Sequence, residues 1–199
     1  MQLEYVTRSD EDLWKHVSGK TDLDHIATWI EDSVRRMFST IIFTNGCFDI
    51  LHLGHLQCFY TMKNKYPKKS YLIVGLNDDD SVKKLKGGYR PIHTQEQRAV
   101  TLMSTAYVNA VFIFHSDTPE ELIEVINPDV LFKGGDYKNK EISGAKFVEK
   151  NSGKIFIIDT YHNYSTTNEI QKIGQIYMKE QFGENCLILQ TGDTNGKSN

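Results

Sequence analysis

The chain has 199 residues, 39% of them hydrophobic and 25% charged, with a formal net charge of −3, enough for one domain with a sizeable core and short tails. That near balance gives no bulk attraction to nucleic acid or an anionic membrane, so phosphate recognition has to come from a local site. Three scattered cysteines, Cys47, Cys58 and Cys186, exclude a disulfide framework and a C-x-x-C metal knuckle and fit a reducing cytosol; no apolar run reaches membrane-span length and Met1–Tyr5 is too polar for a signal peptide, so a soluble cytoplasmic protein is expected.

Residues 1–40 are polar, with Leu13, Trp14 and Val17, then Leu23, Ile26, Ile30 and Val34, at roughly helical spacing. They read as a helical N-terminal extension packed on the domain or on a partner subunit. From Ile41 onward, β-branched and aromatic runs alternate with segments of helical period. Strands are predicted near Ile41–Thr44, Tyr71–Leu76, Val108–Phe114, Val130–Lys133 and Ile155–Asp159. Helices fall around Leu53–Lys65, Thr94–Ala106, Pro119–Ile126, Ile142–Asn151 and Thr166–Lys179. Strands separated by helices imply crossovers and hence an α/β fold, an open parallel five-stranded sheet with helices on both faces over residues 41–182. Thr118-Pro119-Glu120-Glu121 reads as a capping box, and residues 183–199 as a frayed tail.

The strongest local signal is Thr44-Asn45-Gly46-Cys47-Phe48-Asp49-Ile50-Leu51-His52-Leu53-Gly54-His55, between the first predicted strand and the helix after it. Ligands of open α/β sheets bind at the carboxyl ends of strands. Gly46 permits close backbone approach, while His52 and His55 stand three apart at a helix N-terminus, where free amides attract anions. A histidine pair also suits a metal, but no third ligand follows at zinc-site spacing.

After the second strand, Lys83-Lys84-Leu85-Lys86-Gly87-Gly88-Tyr89-Arg90 reads as a mobile basic loop able to close over a polyphosphate, or else as a solvated charge run. Thr94 with Gln97 caps the next helix, and Arg98 lies in its first turns, where a surface arginine needs no further explanation. Lys133-Gly134-Gly135-Asp136-Tyr137 ends the fourth strand at the same carboxyl edge, with Lys133 expected to project into the crevice. Ser165-Thr166-Thr167-Asn168 opens the last helix, with Ser165 as N-cap and the small polar run as an anion cradle.

H-x-G-H after G-x-F-D resembles the cytidylyltransferase-type nucleotidyltransferases, a Rossmann-like group, from about Ile41 to Ile173. Gly46–His52, Arg90-Pro91, Glu96-Gln97-Arg98, Lys133–Tyr137 and Ser165–Asn168 together are most similar to the adenylyltransferase domains that make ADP-heptose from heptose 1-phosphate. The resemblance implies transfer of AMP from ATP to a sugar phosphate, with magnesium bridging phosphates. It assigns His52, His55 and one of Lys84 and Lys86, Lys86 first, to the transferred phosphate. Asn45, Gly46, Cys47, Phe48, Asp49, Lys84, Arg98, Lys133, Gly134, Gly135 and Asp136 would border the nucleotide, Arg98 set against its phosphates or the active-site acids, and Ser165, Thr166 and Thr167 would meet its β and γ phosphates. Such enzymes are often fused to a sugar kinase; here a separate kinase would supply the substrate. A homodimer or larger homo-oligomer is expected. Two other readings remain: a cytidylyltransferase acting on glycerol 3-phosphate or a related polyol phosphate, against which Tyr161-His162-Asn163 counts because that group is basic there, and a non-catalytic nucleotide-binding module.

Overall fold

A computed structural model of the chain describes residues 2–7, 20–134, 141–159 and 164–183. Strands β1 Gln2–Thr7 and β2 Lys20–Asp22 come first, followed by helix α1 Leu23–Trp29, a π turn at Ile30–Val34 and a last helical turn, α2 Arg35–Met37. Then β3 Thr40–Gly46, α3 Leu53–Lys65, β4 Ser70–Asn77, α4 Asp79–Lys86, α5 Gln95–Met103 and β5 Ala110–Phe114 lead to the middle of the chain. It ends with α6 Glu120–Ile126, β6 Val130–Gly134, α7 Ala145–Lys150, β7 Lys154–Ile158 and α8 Thr166–Phe182.

The sheet has seven strands in the order β2-β1-β5-β4-β3-β6-β7. The five predicted strands are its parallel part, with β3 pairing β4 from Thr40↔Ser70 to Gly46↔Leu76 and β6 through Ile42↔Val130. Two antiparallel strands extend the β5 edge. The opening residues therefore correct the sequence reading: residues 2–7 form a strand whose Leu3 and Val6 are buried, while Leu13, Trp14 and Val17 lie outside the described residues. So does the tail from residue 184.

Alternation along β3 explains the long apolar runs. Ile42 faces the core shared with Phe59, Met62 and Leu102, whereas Ile41 and Phe43 face the one shared with Ile26, Ile30, Leu122 and Val148. Helices cover both faces, so both residue sets of the strand are apolar.

Two local readings also change. α6 begins after Pro119 with no side-chain cap bond, so Thr118 is not the N-cap. Lys83, Lys84 and Lys86 belong not to a loop but to the last turn of α4, whose cap Asp78 accepts from Ser81 N at 2.7 Å. Acid in the first turn and base in the last suit the helix dipole, which accounts for the charge run before any ligand is invoked.

Candidate active site

The carboxyl ends of β3, β4 and β6, with the start of α8, enclose a cleft of about 520 Å³. Its walls include His52, His55, Lys86, Lys133 and Gly134, and Ser165, Thr166 and Thr167 close one side. Asn45, Gly46, Cys47, Phe48 and Asp49 also line it.

The β3–α3 loop is shaped by its own side chains. Phe48 sits in the left-handed region, φ 45°, a strained position for a bulky residue. Asp49, next along, is a structural hub. Its fully buried carboxylate accepts from Ile92 N at 2.7 Å and His93 N at 3.0 Å and is ion-paired with Arg90 Nε. Arg98 works from beneath: Nη1 donates to the Cys47 carbonyl at 2.5 Å, Nε to the His93 carbonyl at 3.1 Å and Nη2 to Asp79 at 2.8 Å. Its side chain is wholly buried and outside the cleft wall, so of the two placements the resemblance implies, phosphates or acids, Arg98 takes the acid, Asp79. It holds the loop that carries the cleft. Lys84 is not itself a wall residue, but its Nζ lies 3.5 Å from Asp117, which is.

His52 is the N-cap residue of α3, and its backbone N–H donates to His55 Nδ1 at 3.4 Å. The rings stack with centroids 3.7 Å apart. Gly54 makes this possible, since a Cβ there would stand 3.1 Å from His52 Nδ1 and 3.3 Å from the Tyr164 Cβ. Burial, helped by the neighbouring His52, pushes the His55 pKa down to about 3, and burial also lowers that of His52. His55 is therefore neutral near pH 7 with Nδ1 accepting, so its proton resides on Nε2 as a donor.

This ring links stability to pH. An unfolded histidine takes up a proton below about pH 6.5, and the native His55 does not until about pH 3. The unfolded state binds more protons across that window, so stability falls as pH falls through it. Urea denaturation at pH 7 and pH 5 is expected to show His55→Asn losing less stability than the parent, the difference being on the order of 2 kcal/mol. Equal losses would show that His55 titrates normally.

On the other wall, Lys133, only 4% exposed, donates from Nζ to the Asn45 carbonyl at 2.8 Å and to Asn45 Oδ1 at 2.6 Å, bracing β6 against β3. Ser165 Oγ caps α8 by accepting from Asn168 N at 3.1 Å, and Thr166 Oγ1 donates to the Ile50 carbonyl at 3.3 Å, tying α8 to the histidine loop. Gly135, Asp136 and Tyr137 lie outside the described residues. Sequence reasoning missed wall residues that include Asn77 and Asp117, whereas Arg90 already stood in its motif set. Asn77 and Asp117 each follow a strand that was identified, and that position at the carboxyl edge was the available signal.

What meets in the cleft is a neutral imidazole donor, cationic side chains at Lys86 and Arg90, and the N-terminal end of a 17-residue helix. These are donors for a polyphosphate at the crevice of an open parallel sheet, and the enzyme class they define is the nucleotidyltransferases. The comparison with known families agrees: the cytidylyltransferase-like model matches residues 43–175, and the chain belongs to that family. Among curated proteins it is 42% identical over 172 residues to the bifunctional protein HldE of Helicobacter hepaticus, covering 86% of this chain and 34% of that protein. To the HldE of Campylobacter fetus it is 45% identical over 140 residues, 70% of this chain and 29% of the other. The chain thus spans about a third of the length of the curated relatives it matches. Among solved structures, a lipopolysaccharide core biosynthesis protein from Thermoplasma volcanium aligns with a TM-score of 0.49 and 22% identity over 63% of this chain and 98% of that one. No helix among the described residues is long and apolar enough to cross a membrane.

Proposed function

We propose that this protein transfers AMP from ATP to a sugar phosphate, heptose 1-phosphate foremost, giving ADP-heptose and pyrophosphate. The observation that carries the transfer is the convergence of His52 and His55 with the start of α8 on one cleft. A phosphate oxygen of the acceptor attacks the α-phosphorus, the bond from that phosphorus to the bridging oxygen breaks, and pyrophosphate leaves. The attacking phosphate is already anionic, so no general base is needed and catalysis is positioning and charge stabilisation. His55 Nε2–H and His52 donate to the transferred group, Lys86 adds positive charge, and the α8 amides with Thr167 hold the leaving pyrophosphate.

Among the described residues no group of three or more His, Cys, Asp or Glu side chains could hold a metal ion. The Asp49 carboxylate is taken up by its three donors. The described residues thus offer no protein cage, and a magnesium ion would come with the triphosphate, keeping most of its waters.

Support for adenine and heptose is the motif set from Gly46 to Asn168 that resembles the ADP-heptose enzymes, together with the HldE matches. A site that pairs with one base leaves buried polar groups unpaired with the other, a penalty on the order of 10⁴-fold in specificity. A pyrophosphate-release screen of the four common nucleoside triphosphates against sugar and polyol phosphates is expected to give ATP with heptose 1-phosphate the highest kcat/KM. If CTP is the better donor, or glycerol or ribitol phosphate the better acceptor, the adenylyl and heptose assignments fall and transfer itself stands.

A further inference from the structure

Apart from Lys86, the wall of the cleft formed by β4 and β5 has no role in the transfer just described. It consists of Asn77 at the end of β4, Leu85 and Lys86 at the end of α4, and Asp117 and Pro119 between β5 and α6. Asn77 stands out. It is only 6% exposed, yet its side-chain amide makes no hydrogen bond with any of the described residues. Nor is the amide sealed away, because the fully enclosed, unpartnered side-chain nitrogen or oxygen among those residues is His52 Nδ1. A largely buried amide whose donors and acceptor are unused within the protein, on a cleft wall, is open to a ligand.

Direction identifies the ligand. In an in-line displacement the nucleophile and the leaving group lie on opposite sides of the phosphorus. α8, which holds the pyrophosphate in the proposed transfer, follows β7 on the β6 side of β3, and its Thr166 is bonded to the β3–α3 loop. The acceptor therefore enters from the β4 side, where Asn77 stands. We infer that Asn77 reads the hydroxyls of the sugar-phosphate acceptor and sets which acceptor is used, an inference that rests on the proposed transfer to a sugar phosphate. One amide offers both donor and acceptor, which matches neighbouring hydroxyls of a polyhydroxylated chain, and the Asp117 carboxylate on the same wall accepts from a further one.

The test is steady-state pyrophosphate release by the parent and Asn77→Ala, with ATP and acceptor varied in turn, using heptose 1-phosphate and a panel of epimeric, deoxy and polyol phosphates. The expected result is an acceptor KM raised about 10- to 100-fold with the ATP KM within about twofold of the parent. The parent should lose a similar factor with the deoxy acceptor that lacks the hydroxyl, and Asn77→Ala should not distinguish that acceptor from the full one. A merely structural role would not produce that loss of discrimination. A raised ATP KM with the acceptor KM unchanged would overturn the inference by placing Asn77 against the nucleotide, as would no change in either. Should the alanine variant unfold, Asn77→Ser is read by the same comparison. A parent enzyme silent with the whole panel would overturn the transfer reading itself, a result distinct from failure of Asn77 alone.

Discussion

Alanine at His55 is expected to lower turnover by about 10²- to 10³-fold, the scale for losing a preorganised donor to a group that gains charge in the transition state. The same loss is expected at His52. Stacking at 3.7 Å holds both rings before substrate arrives, so little reorganisation is needed when the phosphate is transferred. Their lowered pKa values make them neutral donors, and kcat/KM should therefore not fall between pH 6 and 8 as an ordinary imidazolium loses its proton. ATP affinity should change far less than turnover, because the interaction strengthens as the reaction proceeds. Turnover near the parent value in both alanine variants would remove the pair from the mechanism.

Arg98→Met is expected to act on folding. The arginine is wholly buried, with the Cys47 and His93 carbonyls and the Asp79 carboxylate as its partners. Methionine fills much of the same volume but supplies no donor, so Asp79 loses its cation and two carbonyls lose their hydrogen bonds. Removing one member of a buried charged pair destabilises by about 3–5 kcal/mol. Urea denaturation should show a loss of that size, accompanied by lower activity as the loop from Cys47 to Asp49 loosens. A phosphate-binding arginine would behave in the opposite way, with stability kept and ATP affinity lost. That second outcome would return Arg98 to the nucleotide.

The contrast between these residues shows what sequence can reveal. His52, Gly54 and His55 form a local pattern, and each needs only its neighbours to be in place. β3 to β6 are equally legible, because strands covered on both faces must be apolar throughout, and β7, at the edge, reads from its run of Ile and Phe. Arg98 is different: nothing in Thr94–Arg98 separates a solvated arginine from a buried one, since its partners lie 5, 19 and 51 residues away. β1 is short and acquires its meaning only by pairing with β5, more than a hundred residues on. In α4, the signal was present but competed with another. Asp78 as cap, acid in the first turn and lysines in the last all mark a helix, yet the lysines beside two glycines also fit a phosphate loop. Asn77 carries no motif at all, and only the cleft shows that its amide lacks a partner.

The position of β3 between β4 and β6 has a consequence for how such a protein changes over generations. The histidines follow β3, and the helix that meets them is tied to the same loop by Thr166. These parts are fastened to one another and none of the described bonds among them runs through Asn77. Drift on the β4 wall can thus alter what is received while leaving the transfer apparatus seated. On the acceptor role inferred for Asn77, single substitutions there would bring new acceptors within reach, each passing through a working enzyme.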